Sequence, residues 1–322
     1  MKILITGGAG YIGSHIALEC IRQGHKVTVF DNLSSGFIEN IHPGVVFYKG
    51  STLSNEDISK VMESSDFDGV IHMAAYKAAN ESMINPSQYS INNIIGGINI
   101  INACIKYNID KFVFSSTAAV YGKPLYHPID EKHSLNPINY YGFSKLSIEN
   151  NLEWFSKLKG IKYASLRYFN AAGFDKDGKI FCKEKNPQNL IPLVMEVATN
   201  KRKVIDIYGN DFNTKDGTGI RDYIHVSDLS RGHIAALEYI DTTKNNLILN
   251  LGTGTGHSVL DVISKTKLIS NKNIVFNFVD RRLGDPEIVI ASSEKAKNTI
   301  NWNPQFSDLD TIIKTTWNIY NK

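Results

Sequence analysis

The chain opens on an apolar run, Ile3-Leu4-Ile5-Thr6, that stops at a cluster of glycines. From Gly13 to Gln23 the apolar positions recur at helical spacing, with Ile12, Ile16 and Cys20 on one side. A second β-rich run, Val27–Phe30, ends at Asp31, and Val45–Tyr48, Val70–Met73 and Phe112–Ser115 repeat the form. Helical patterns separate most of these runs, including Asn93–Tyr107 and Ser144–Leu158. Strands alternating with helices predict an α/β fold, a doubly wound parallel sheet with helices on both faces. Beyond Arg167 the pattern loosens. Segments 171–189 and 208–222 are polar and Gly-rich, a helix is expected at Pro192–Thr199, a strand at Tyr223–Val226 and a helix at Leu229–Tyr239. The expectation is a first domain over residues 1–170, rejoined by 222–240, and a smaller α/β domain over 171–322.

Composition narrows the function classes. A chain of 322 residues with 42% hydrophobic and 21% charged positions has ample material for a core. Its net charge of +3 comes without any run of five like charges, so no nucleic-acid arm is expected. Three widely spaced cysteines, Cys20, Cys104 and Cys182, make neither a disulfide framework nor a zinc site. The nine histidines form no metal-binding motif, and no metal is expected. Met1-Lys2 leads directly into a strand, and no apolar run reaches the ~18 residues of a membrane span. The expectation is a cytoplasmic protein with no membrane partner.

The glycine cluster carries the first chemical signal. Gly7, Gly10 and Gly13 sit between a strand and a helix. Gly7 and Gly10 permit a tight turn and close approach of the backbone to a pyrophosphate, and Gly13 permits close helix–strand packing. The helix N-terminus adds free N–H groups and partial positive charge, so Tyr11 and Ile12 belong to the same cradle. Glycines alone also fit a plain strand–helix turn. Asp31 shifts the balance, because an acid closing the second strand is placed to bind adenosine ribose hydroxyls. Asn32 follows it instead of an arginine, and an acid here repels a 2′-phosphate, so NAD is expected over NADP.

The second signal is the Tyr-x-x-x-Lys spacing of Tyr141 and Lys145, which a helix puts on one face. A phenol titrates near 10 in water, and a nearby cation favours the phenolate, so Tyr141 is the expected base. Ser115-Ser116-Thr117 closes the fifth strand and offers a hydroxyl to the same substrate oxygen. Tyr140 lies five residues from Lys145, off that face. A surface tyrosine with a solvated lysine gives the same spacing by chance, and only the glycine loop and the hydroxyl cluster together make a catalytic reading the better one.

Taken in order, several stretches resemble one family. They are Thr6 to Ser14, Asp31-Asn32-Leu33, Lys77-Ala78 with Glu81-Ser82, Ser115 to Gly122 and Tyr141-Gly142-x-Ser144-Lys145. Leu166 to Asn170, Gly217-Thr218-Gly219-x-Arg221-Asp222-Tyr223 and Arg281-Arg282-x-Gly284-Asp285 complete the set. The chain is similar over nearly its whole length to the extended short-chain dehydrogenase/reductase family, and within it to nucleotide-sugar epimerases. The resemblance implies a Rossmann-type first domain, retained NAD, a UDP-sugar substrate, inversion at C4 through a 4-keto sugar, and a homodimer joined by the helices at 93–107 and 144–158. It implies Tyr141 as base, Thr117 at the 4-oxygen and Lys145 on the nicotinamide ribose. Lys77, Asn93, Ser115 and Tyr168 would touch the cofactor, Lys77 also the sugar. Asn170, Asn189 and Leu190 would hold the substrate, Arg221 and Arg282 the diphosphate, and Asp285 the uridine ribose. Val289, four residues past Asp285, would stand near the sugar 2-substituent.

Three positions depart from the family pattern: Thr117 where Ser is frequent, Ser51 where an acid commonly meets adenine, and Ala75 for a frequent Gly. A 4,6-dehydratase needs an acid and a base beside Thr117, where this chain has Ala118-Ala119. A decarboxylase, a uronic acid epimerase and a non-catalytic NAD-binding protein remain as alternatives. Gly252-Thr253-Gly254-Thr255-Gly256 also follows a strand-like run, Ile248–Leu251. No Lys-Ser or Lys-Thr pair comes after it, and it is expected to start a helix instead of holding phosphate.

Overall fold

Ile3 and Ile5 belong to one hydrophobic cluster and Leu4 to another, and all three are fully buried. This two-sided burial is the mark of a strand inside a parallel sheet. The computed structural model describes residues 1–184, 186–282 and 284–322. It begins with β1 (Lys2–Thr6), α1 (Tyr11–Arg22), β2 (Lys26–Asp31), β3 (Val46–Lys49), α2 (Asn55–Met62) and β4 (Gly69–His72). Next come α3 (Ala79–Ile84), α4 (Pro86–Tyr89), α5 (Gly96–Lys106), β5 (Lys111–Thr117), α6 (Tyr140–Lys159) and β6 (Lys162–Tyr168). Then follow β7 (Asn170–Ala172), α7 (Leu190–Ala198), β8 (Ile205–Tyr208), β9 (Ile220–His225), α8 (Val226–Thr243) and β10 (Leu247–Leu251). The chain closes with β11 (Gly256–Ser258), α9 (Val259–Ser270), β12 (Phe276–Val279), β13 (Ile288–Val289), α10 (Glu294–Ile300) and α11 (Leu309–Tyr320).

Seven strands form a wholly parallel sheet in the order β10-β6-β5-β4-β1-β2-β3. The order reverses between β1 and β4, so a crevice opens at their C-terminal ends. Ile16 and Cys20 of α1 and Leu229 and Leu237 of α8 cover one face, and Ile58, Ile100 and Ile148 of α2, α5 and α6 cover the other. The segment expected to rejoin the first domain is divided. Helix α8 packs on the large sheet, whereas β9 lies in a smaller sheet, paired with β7, β11 and β13. The apolar run β10 adds the seventh strand beside β6, although it falls within 171–322. Helix α8, which follows β9, returns the chain to that edge.

Two helices start earlier than apolar spacing alone indicates. The Asn139 side chain accepts from Gly142 N at 2.8 Å and caps α6, which brings Tyr141 and Lys145 into one helix. Pro86 opens α4, which runs through a π-helical stretch, Ser90–Ile95, into α5. The wider turn admits one extra residue and re-aims the side chains around Asn93. Among the described residues no helix is long and apolar enough to cross a membrane.

Candidate active site

The crevice holds a cavity of about 380 Å³ that runs from Asp31 and Asn32, past the glycine loop, to Lys77, Ser115, Tyr141, Lys145 and Tyr168. Gly7 adopts φ +70°, and a Cβ there would lie 2.6 Å from the backbone N of Ala74, so the loops after β1 and β4 touch. A Cβ on Gly13 would come within 2.3 Å of the Gly7 carbonyl oxygen. Gly10 differs: its Cβ would meet only that same oxygen, at 3.3 Å, and its other side opens on the cleft. No side chain caps α1, and its first turn carries no acid. Its N-terminal amides therefore remain for an anion.

The Asp31 carboxylate accepts from Ala9 N at 3.0 Å and from Leu33 N at 2.8 Å. Burial raises its pKa, and these two N–H groups oppose the rise. Asp31 thus fixes the glycine loop and also stands in the cleft wall beside Ser34 and Ser35. Tyr11 lines the cleft and donates its hydroxyl to the Gly173 carbonyl, which ties α1 to the chain leaving β7. Ile12 lines the cleft and packs on the core below.

At the other end, the Tyr141 phenol is pushed up to about 12 by burial, and a hydrogen bond with Thr117 opposes that. Lys145 Nζ donates to the Ser115 carbonyl at 2.7 Å and lies 5.0 Å from the Phe114 ring centroid. Burial pulls it down to about 7, against the field of Glu149. The Ser115 hydroxyl pairs with the Tyr168 phenol. Base candidate, hydroxyl and lysine therefore share a wall with the glycine loop. Tyr140 turns elsewhere, its hydroxyl 2.5 Å from Ser90 Oγ.

Asn93 does not line the cleft; it is buried behind it. Its Oδ1 accepts from Tyr76 N at 2.8 Å, and its Nδ2 donates to Tyr76 O at 3.0 Å and Ser144 Oγ at 3.1 Å. It joins a cleft loop to the helix of Tyr141 and Lys145, a placement set by the π-helical stretch. Lys77 does reach the cleft, where it forms an ion pair with Glu184.

The remaining candidates lie on the second part of the chain. Asn170 donates to the Asp222 carbonyl at 3.1 Å. Asn189 lines a small neighbouring cavity with Tyr11 and Glu184, and Leu190 begins α7. Arg221 Nη2 meets Asp285 Oδ1 at 2.5 Å, and its Nη1 donates to the carbonyls of Ile220 and Glu287. The Arg282 guanidinium stacks 3.8 Å from the Tyr208 ring centroid. Val289 pairs in register with Arg221 and packs on the cluster of Val120, Phe169 and Ala291, on which Ala118 also packs. The second glycine run is already filled. The buried Asp222 carboxylate accepts from the backbone N of Thr253, Gly254 and Ala291 at 2.9, 3.0 and 3.2 Å. Those amides are spent on the chain's own acid.

The sequence model of the NAD dependent epimerase/dehydratase family matches residues 3–252. The chain belongs to this family. A UDP-glucose 4-epimerase from Lacticaseibacillus casei is 40% identical over 99% of this chain and 96% of its own length. The Brucella ovis UDP-glucose 4-epimerase, solved in complex with NAD, superimposes with a TM-score of 0.97 at 38% identity, covering 99% of this chain and 98% of that one. A UDP-Glc/GlcNAc 4-epimerase from Campylobacter jejuni gives 0.88 at 38% identity, covering 99% of each chain.

NAD is accordingly the cofactor of this family member, and the open Gly10 side, the uncapped α1 and the placed Asp31 fit it. Sequence reasoning missed Ser34 and Ser35 in this NAD cleft, although both follow Asp31-Asn32 on one loop. It also missed Glu184, in a polar irregular stretch, and Tyr208, at the end of the short strand β8. Among the described residues no group of three His, Cys, Asp or Glu is placed to hold a metal.

Proposed function

We propose that this chain inverts C4 of a UDP-hexose, interconverting UDP-glucose and UDP-galactose with a resident NAD. The observation that carries this reading is that Tyr141, Lys145 and Ser115 open on the same cavity as the glycine loop and Asp31. When bound, NAD supplies a hydride acceptor for C4 and returns that hydride to the opposite face, so no outside redox partner is consumed. Tyr141 takes the 4-hydroxyl proton on oxidation and gives it back on reduction. Thr117 holds the 4-oxygen, and Lys145, anchored on the Ser115 carbonyl, supplies the positive charge that favours the phenolate. Gly7, Gly10, Gly13 and the start of α1 hold the pyrophosphate, Asp31 and Asn32 the adenosine ribose, and Lys77, Ser115 and Tyr168 the nicotinamide half. In this reading residues 1–170 hold NAD, and 171–322 hold most of the UDP-sugar. Arg221 and Arg282 grip the diphosphate, Asp285 the uridine ribose, and Asn170, Asn189 and Leu190 the sugar side.

Purified protein incubated with either hexose, without added NAD, is expected to form the other. Denatured protein is expected to release NAD. Recovery of mainly NADP, or turnover only after NAD is added, would contradict this. A dehydratase is disfavoured because the 3₁₀ turn after Thr117, Ala118–Tyr121, brings no acid or base next to it.

The sugar pocket supports a wider range. Val289 and Ala118 both pack on the cluster that contains Phe169, and Ala118 and Phe169 are the neighbours of Thr117 and Tyr168 in sequence. A tyrosine at 289 would fill space that a 2-acetamido group needs, at a cost of ~1–3 kcal/mol. Wild type is expected to interconvert UDP-GlcNAc and UDP-GalNAc as well, and Val289→Tyr to lose that activity while keeping the hexose pair. Equal loss of both activities in the variant, or a wild type inert to UDP-GlcNAc, removes Val289 from this role.

The assembly expected is a homodimer. Phe143, Trp154 and Leu158 are exposed along α6, and Ile91 and Ile95 along the adjoining π-helical stretch. Such a two-helix apolar face suits a self-complementary contact. Light scattering at twice the 35.9 kDa chain mass supports it, and at the single mass excludes it.

A further inference from the structure

Behind the hydroxyl-bearing end of β5 lies a buried ionic cluster that the reaction described above does not use. Strand alternation turns Ser115 and Thr117 toward the cleft side and Ser116 away from it. There the Ser116 hydroxyl donates to the carboxylate of Glu149, one helical turn beyond Lys145 on α6. Arg167, paired with Ser116 across β5 and β6, grips the same carboxylate through Nε at 3.0 Å and Nη2 at 2.5 Å. Its Nη1 donates to the Tyr121 hydroxyl at 3.1 Å, which in turn donates to Asn250 Oδ1 at 2.6 Å. Both charged side chains are 3% exposed. A buried ion pair is often no more stabilising than apolar residues of the same volume, so stability alone does not account for this one.

We propose that Glu149 is a positioning residue for the reaction: through Ser116 it fixes the rotation of the strand end that presents Ser115 and Thr117, and its carboxylate is the counter-charge to Lys145. The catalytic half of this statement rests on the proposed epimerase reading. Every element packed around Lys145 contributes to its surroundings. From β4 comes His72, held neutral by burial and by Lys145 itself, with Nδ1 2.7 Å from Thr6 Oγ1. From β5 come the Phe114 ring and the Ser115 carbonyl, from β6 Arg167 and Tyr168, and from its own helix Tyr141 and Glu149. Against burial, Glu149 is what favours the ammonium form of Lys145. Take the carboxylate away, leave Arg167 charged, and Lys145 gives up its proton at lower pH.

Two readouts separate this proposal from the reading beneath it. In NAD-loaded protein carrying ¹³Cε-lysine, with Lys145 assigned by Lys145→Arg, the Lys145 resonance is followed against pH. Glu149→Gln is expected to lower its titration by at least about one pH unit. This measurement needs no substrate, so it stands even if no UDP-hexose is turned over. If the single variant does not fold, Glu149→Gln with Arg167→Met leaves no lone buried charge and is expected to move in the same direction. A titration unchanged from wild type overturns the charge role. In turnover of the UDP-hexose, Ser116→Ala, which keeps both charges, is expected to lower kcat about tenfold with KM and the Lys145 titration unmoved. A wild-type kcat in that variant overturns the positioning role.

Discussion

Replacing Tyr141 with phenylalanine lowers turnover by at least ~10²-fold, the low end of general acid–base effects, and leaves UDP-sugar binding nearly intact. The phenyl ring keeps the packing of the first turn of α6, because only the hydroxyl is removed. The backbone N of Tyr141 still donates to Ser82 Oγ at 3.0 Å, and Asn139 still caps the helix, so the backbone has no reason to move. What disappears is the group that carries the 4-hydroxyl proton. Thr117 remains, but an alcohol is far too weak an acid to replace a phenol whose charged form a cation supports. The expected pattern is a collapse of kcat with an unchanged dissociation constant for UDP-glucose by calorimetry. Tyr140→Phe serves as the control, since its hydroxyl is bonded to Ser90. If Tyr141→Phe keeps near-normal kcat, the base lies elsewhere.

Gly13→Ala is expected to strip the protein of NAD and to destabilise it, with the sign opposite to the usual one. Inside a helix, alanine is normally favoured over glycine by about 1 kcal/mol. Here the new Cβ lands 2.3 Å from Gly7 O and 2.8 Å from Gly8 Cα, and both are backbone atoms. Gly7 cannot retreat. Its N–H is held by Phe30 O at 2.8 Å, and the Ala74 backbone closes its other side. Helix α1 must therefore lift away from β1, carrying its N-terminal amides off the pyrophosphate. Overpacking of this kind costs ~1–3 kcal/mol. The expected result is a lower Tm together with loss of co-purified NAD. A variant with wild-type Tm and full NAD content would falsify the close-packing argument. Gly10→Ala gives a useful contrast, because its Cβ meets nothing nearer than 3.3 Å. It is expected to keep its Tm and lose cofactor.

How much of this was legible in the sequence follows from how local each signal is. Strands β1, β2, β4 and β5 announce themselves because a strand buried on both faces must be largely apolar, as Ile3 to Ile5 are. The ends of α1 and α6 are set by Gly10 and Asn139, which an apolar pattern cannot see. The π-helical stretch leaves no mark on periodicity, and so the links of Asn93 to Tyr76 and Ser144 could not be read from spacing. Strand β10 looked like part of the distal region because its partner, β6, is brought beside it only by α8. The Lys77–Glu184 and Arg221–Asp285 pairs join residues 107 and 64 positions apart, and no spacing rule connects them.

Asp222 has a consequence for how this enzyme can change. One carboxylate bonds the turn at Thr253-Gly254 and the backbone of Ala291, two residues past Val289, while its neighbour Arg221 pairs with Val289 across the strands. On the proposed assignment of Arg221 to the diphosphate and Val289 to the sugar, the grip on the nucleotide and the room around the sugar are mounted on a single bracket. A substitution that shifts Val289 outward to admit a larger sugar drags the Arg221 guanidinium with it. Selectivity and nucleotide affinity are then coupled traits, and a new sugar specificity comes most easily from changing the size of the side chain at 289 while its strand stays where it is.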